Sequence, residues 1–135
     1  MEKEVNIFIS HSWSYSENYK AIVGLLDKTG IHYKNYSVPK DDPIHNAKND
    51  KELYEAIDNK LKHASVVLIL AGVYATYSKW INKEIEIAKK RGKKIIAIEY
   101  WGAEKTSTKV KNNADIIIRW QSSSLKKAIE TLVGD

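Results

Sequence analysis

Ser65-Val66-Val67-Leu68-Ile69-Leu70-Ala71 is the most apolar run in the chain, and its reading decides the fold. A strand with one wet face alternates apolar and polar residues, but this run is apolar at every position after Ser65, as in a strand covered on both faces. It is therefore the central strand of a parallel sheet. Outward from it, residues 5–9 (Val-Asn-Ile-Phe-Ile), 94–99 (Lys-Ile-Ile-Ala-Ile-Glu) and 115–119 (Asp-Ile-Ile-Ile-Arg) read as further strands. Residues 32–36 (His-Tyr-Lys-Asn-Tyr) are more polar and read as a strand at the sheet edge.

Helical signals fill the intervals. Ser14 and Glu17 have the spacing of a capping box, with Tyr19, Ile22, Val23 and Leu26 as the buried stripe behind it and Gly30 at its end. Asn49 and Glu52 open a second helix with Leu53, Ile57, Leu61 and Ala64 on one face. Residues 122–124 cap a last helix with Leu125, Ala128, Ile129 and Leu132 inward, and residues 100–102 begin a loop between the last two strands. Strands alternating with helices predict an α/β domain with right-handed crossovers. The expected form is a flavodoxin-like three-layer sandwich, a five-stranded parallel sheet of order 2-1-3-4-5. Such sheets bind ligands beyond the carboxyl ends of the strands where the order reverses, here between strands one and three. The loops meeting there are residues 10–16 and 71–78.

The helix that leaves the second loop carries Ser78-Lys79-Trp80-Ile81-Asn82-Lys83-Glu84-Ile85-Glu86-Ile87-Ala88. At about 100° per residue, Trp80, Ile81, Ile85, Ile87 and Ala88 share one apolar sector. Lys79, Asn82, Lys83, Glu86, Lys89 and Lys90 take the other side, and Glu84 projects from the middle of the apolar sector. A carboxylate there must be hydrogen-bonded, protonated or facing a cavity, because burying it bare costs several kcal/mol. A structural reading has Glu84 capping a loop amide or pairing with Arg91 on the same side of the helix. A functional reading has it lining the crevice between strands one and three. The sheet topology and the misplaced carboxylate point to the same crevice, which favours function.

The totals bound the rest. A chain of 135 residues is long enough for one domain, spanning 1–135, with its own core. It has no cysteine, so disulfides, thiolate nucleophiles and cysteine metal clusters are excluded, and a reducing compartment fits. The longest apolar run, residues 66–73, is too short to span a bilayer, and the charged start Met1-Glu2-Lys3-Glu4 is unlike a signal peptide, so a soluble cytoplasmic protein is expected. The net charge of +5 suits an anionic ligand, but the one basic cluster, residues 89–94, reads as a solvated helix end favoured by the dipole. Nucleic acid is therefore not the expected partner. His11, His32, His45 and His63 show no metal-ligand spacing, and only His11 lies at the crevice. No Gly-x-Gly-x-x-Gly or Walker-type loop is present. The acidic pair and aspartate of a response-regulator receiver are replaced by Ser10-His11 and Ala71-Gly72. Ser10-His11-Ser12-Trp13-Ser14 is only a faint echo of a flavin phosphate loop.

These residues together resemble the TIR domains, most closely the compact TIR-like family that includes the ThsB proteins of bacterial Thoeris anti-phage systems. The resemblance covers essentially the whole chain. It is carried by Phe8-Ile9-Ser10-His11, by the loop after strand two, and by residues 78–84, which look like the family's Ser-x-Trp-x-x-x-Glu signature. It implies that Glu84 is the catalytic residue of NAD cleavage and that Ser10, His11, Ser12 and Trp13 contribute to the nucleotide pocket. It also implies that residues 37–47, with Ser37, Lys40, Asp41 and Asp42, form the loop that closes the site, in many relatives only when subunits stack. Tyr77 and Trp80 could stack on a base or ring, although packing is the commoner role for such a tryptophan. NAD is then a substrate and no cofactor is needed. The implied activity is NAD glycohydrolase or ADP-ribosyl cyclase chemistry, making a cyclic ADP-ribose-type signal that activates a separate effector protein. A non-catalytic signalling module that works by self-association, and a nucleotide-binding sensor, are the alternatives.

Overall fold

The computed structural model describes residues 4–10, 18–36, 50–70, 74–99 and 108–133, with backbone alone for residues 18, 19, 50, 53 and 74–80. In chain order the elements are β1 (Val5–Ile9), α1 (Asn18–Thr29), β2 (Tyr33–Asn35), α2 (Asp50–Leu61), β3 (Val66–Leu70), α3 (Tyr74–Lys90), β4 (Lys94–Glu99), α4 (Thr108–Asn113), β5 (Ile116–Arg119) and α5 (Ser122–Val133). The five strands form one sheet of order β2-β1-β3-β4-β5, and every pair is parallel. This is the topology read from the sequence.

The central strand explains why. All five residues of β3 are buried, and they alternate between two cores. Val67 and Ile69 join Phe8, Ile95 and Ala97 under α2, α3 and α4, where Ile57, Leu61, Ile81, Ile85, Ile87, Ala88 and Val110 complete the layer. Val66, Leu68 and Leu70 face the opposite way, with Ile7, Ile9, Ile96 and Ile98, against Ile22, Leu25 and Leu26 of α1 and Leu125, Ala128 and Ile129 of α5. A sheet buried on both sides has no polar face, which is why its strands read as continuous apolar runs. β2 pairs only with β1 and is half-buried or exposed throughout, as its polar sequence predicts.

The helix α4 was not legible. Residues 100–114 read as loop because only Val110 in this short helix is buried, and one apolar residue makes no period. At the end of α3 the chain reverses through a Schellman motif: Lys93 N–H donates to Ala88 C=O (2.8 Å) and Gly92 N–H to Lys89 C=O (3.2 Å). Gly92 takes the left-handed conformation this requires, with φ 69°. The basic cluster is therefore a helix end and the turn into β4, as the charge pattern predicts.

Candidate functional site

The alternation that builds the core also aims the site. Phe8 points into the layer beneath α3, so Ser10, two residues on, points the same way. Its N–H donates to Leu68 C=O at 2.8 Å, which holds it in the β1–β3 ladder just beyond the last residue of β1. From the other side, α3 packs Ile81, Ile85, Ile87 and Ala88 into that layer, and this sets Glu84 among them. Glu84 is fully buried (0 % exposed) and Ser10 nearly so (1 %), whereas Glu86 on the outer face of the same helix is exposed.

The two buried polar groups meet. Ser10 Oγ donates to Glu84 Oε1 at 2.6 Å, within the range of a hydroxyl-to-carboxyl hydrogen bond. Ser10 is thus one of the partners that permit a carboxylate in an apolar layer. Arg91 is not another. It lies on Glu84's side of the helix, but seven residues amount to about 10 Å of rise. Arg91 instead makes a bidentate pair with Asp58 of α2, through Nε to Oδ1 and through Nη2 to Oδ2 at 2.9 Å. That guanidinium, hydrogen-bonded to Asp58, holds the Asp58 carboxyl below the usual carboxylate range.

Among the expected site residues, Ser10 and Glu84 are therefore brought together. His11, Ser12, Trp13, Ser37, Lys40, Asp41 and Asp42 lie outside the described residues, as do the side chains of Tyr77 and Trp80 on the first turns of α3. The sequence reading did not single out Glu99, at the carboxyl end of β4, which pairs with Lys111 of α4 at 2.9 Å. A charged residue closing an otherwise buried strand was the available signal. Among the described residues no cluster of His, Asp or Glu is placed to hold a metal ion, and no helix is long and apolar enough to cross a membrane.

A cleft of about 400 Å³ lies away from this crevice, lined by Tyr54, Asp58, Lys90, Arg91 and Lys93. Its cations have structural employment: Arg91 holds Asp58, Lys93 Nζ donates to Lys62 C=O at 3.2 Å, and Lys90 Nζ stands 5.7 Å over the Tyr54 ring.

The family model described as "Thoeris protein ThsB, TIR-like domain" matches residues 8–105. No curated protein matches the sequence. Among solved structures, the chain is similar to the Clostridium botulinum CMP N-glycosidase BcmB, with TM-score 0.54 and 14% identity over 93% of this chain and 98% of that one. It is also similar to a response regulator from Thermotoga maritima (TM-score 0.53, 13% identity, 98% and 100% covered). The RPS4 and RRS1 TIR domain heterodimer gives TM-score 0.52 and 13% identity, with 94% and 93% covered. At these identities the likeness is one of fold.

Proposed function

Because the chain belongs to the Thoeris ThsB TIR-like domain family, we propose that it is an enzyme cleaving the bond between nicotinamide and ribose in NAD, with Glu84 as its catalytic carboxylate. The observation that carries this reading is the buried Ser10–Glu84 pair beyond the end of β1, at the point where the strand order reverses. The fold's occurrence in a CMP N-glycosidase adds support, since that reaction also breaks an N-glycosidic bond of a nucleotide.

The chemistry asks for little else. As the bond breaks, its electron pair goes to the nicotinamide nitrogen and neutralises the leaving group, so no general acid is needed. Positive charge develops on the ribose, and a carboxylate held in a water-poor layer stabilises it. One carboxylate meets this need, unlike the two of ordinary glycoside hydrolysis. The ribosyl cation is then taken by water, or by a nucleophile within the same molecule to give a cyclic product, with loss of the acceptor's proton. We favour the cyclic product, as a signal to a separate effector protein. Glu84 has no solvent contact in this conformation, so the crevice must open for substrate to reach it.

The test is to incubate the purified protein, concentrated and dilute, with NAD and to identify products by mass spectrometry. Release of nicotinamide with a cyclic or linear ADP-ribose product supports the reading. Intact NAD at both concentrations, from a folded protein, would favour the association module, a role consistent with the TIR heterodimer that shares the fold.

A further inference from the structure

We propose that Glu99, Lys111 and Arg119 form an anion-binding subsite on the carboxyl edge of β4 and β5, taking the phosphate-bearing half of the nucleotide cleaved at Glu84. The proposal rests on that reading of Glu84 and extends it to the rest of the substrate.

Three observations carry it. The first is placement: Glu99 and Arg119 are the last residues of β4 and β5 and are register partners, so they stand side by side on the edge where parallel sheets bind ligands. The second is the face. Glu99 follows Ile95 and Ala97 by steps of two, and both face the layer beneath α3. Glu99 and its neighbour Arg119 therefore look towards the same side of the sheet as Ser10 and Glu84. With strands about 4.8 Å apart, β4 is about 10 Å across the sheet from β1, a separation an extended dinucleotide bridges.

The third observation is charge. Glu99 is engaged by Lys111 at 2.9 Å, and both side chains remain about one-third exposed (30% and 35%). Arg119 is exposed, and among the described residues no carboxylate pairs with it. Among the described residues the corner therefore holds two cations against one carboxylate, with the cations on two different elements. Ile117, also facing this side, is 43% exposed. Nothing described screens Arg119 from an incoming anion. A guanidinium and an ammonium suit phosphate oxygens, and the carboxylate can accept from ribose hydroxyls. Arg119 makes no ion pair among the described residues, whereas Lys111 also ties α4 to β4 through Glu99.

The test uses ADP, which carries the phosphates without the reactive bond, so binding is measured whether or not NAD turns over. By calorimetry at low salt, wild type should bind ADP saturably. Arg119→Ala and Lys111→Ala should each weaken it about tenfold, the size of one lost charge-assisted contact. Lys126→Ala, an exposed lysine on α5, is the control and should leave binding unchanged. Arg119→Ala guards against a folding artefact, because it removes no ion pair seen among the described residues. If NAD is cleaved, both variants should raise KM with kcat held, and neither should alter cleavage of nicotinamide riboside, which has no phosphate. ADP binding equal in wild type and Arg119→Ala, or no saturable binding to wild type, overturns the subsite while leaving the Glu84 reading to its own test. Absence of NAD turnover with ADP binding intact has the opposite meaning.

Discussion

Ser10 and Glu84 are 74 positions apart in sequence, and the hydroxyl of one donates to the carboxylate of the other at 2.6 Å inside a layer of isoleucines. The bond ties the end of β1 to the middle of α3. Ser10→Ala removes a donor from a buried carboxylate without changing the backbone bond to Leu68. A buried acceptor that loses one of its partners costs up to about 1–3 kcal/mol, so urea unfolding should show the variant destabilised by up to that amount. Ser10→Thr, which keeps the hydroxyl, should recover part of the loss. NAD turnover should fall in Ser10→Ala, because the carboxylate is no longer held in one orientation. Unchanged stability and turnover in Ser10→Ala would show that the bond holds nothing in place.

The fold was legible because burial writes itself into the strands: Val66 to Leu70 could be read as central before any pairing was known. The odd position of Glu84 was equally legible, since its neighbours Ile81, Ile85 and Ala88 fix the face it occupies. Its partner was not. Nothing local to Ser10 announces a bond to α3, and the helix face alone offered a loop amide or Arg91. Which of two groups on one face pairs depends on distance along the axis and on what the next helix offers, here Asp58 of α2. The helix α4 escaped for a related reason, as its place depends on one buried valine and on the Lys111–Glu99 contact, both set by tertiary structure.

Gly92 offers a test of the turn that ends α3. Its φ of 69° is one that side chains disfavour, yet a Cβ built there meets nothing within 4 Å. Gly92→Ala should therefore cost about 1 kcal/mol through backbone conformation alone. Thermal unfolding measures it. A neutral or stabilising result would mean that the Schellman turn relaxes without penalty.

The Asp58–Arg91 pair predicts a pH dependence of definite sign. The hydrogen bond from Arg91 lowers the Asp58 pKa in the folded protein relative to its ordinary value. A group depressed in this way stabilises the fold above its unfolded pKa, about 3.9, and loses that contribution as pH falls through the folded value. At low salt, wild type should exceed Asp58→Asn in stability from neutral pH down to about pH 4. The gap should then narrow on further acidification, and salt should shrink it because the pair is partly exposed. A gap that widened below pH 4 would contradict the assignment.

Glu84→Gln separates a structural carboxylate from a catalytic one. If Glu84 serves the fold, the amide weakens the bond from Ser10 Oγ and should cost about 1–3 kcal/mol. If Glu84 serves a ligand, its burial is a standing cost, and replacing a buried charge by a neutral amide of the same shape should leave stability unchanged or raise it. NAD turnover should then fall by orders of magnitude, because the amide can still hydrogen-bond ribose hydroxyls but cannot offset developing positive charge. Binding of NAD should change far less. Glu86→Gln, exposed on the opposite face of α3, is the control and should be neutral in both measurements. Thermal unfolding and NAD turnover of the three proteins, measured together, decide between the roles. A destabilised Glu84→Gln with normal turnover would make Glu84 a core hydrogen-bond acceptor and nothing more.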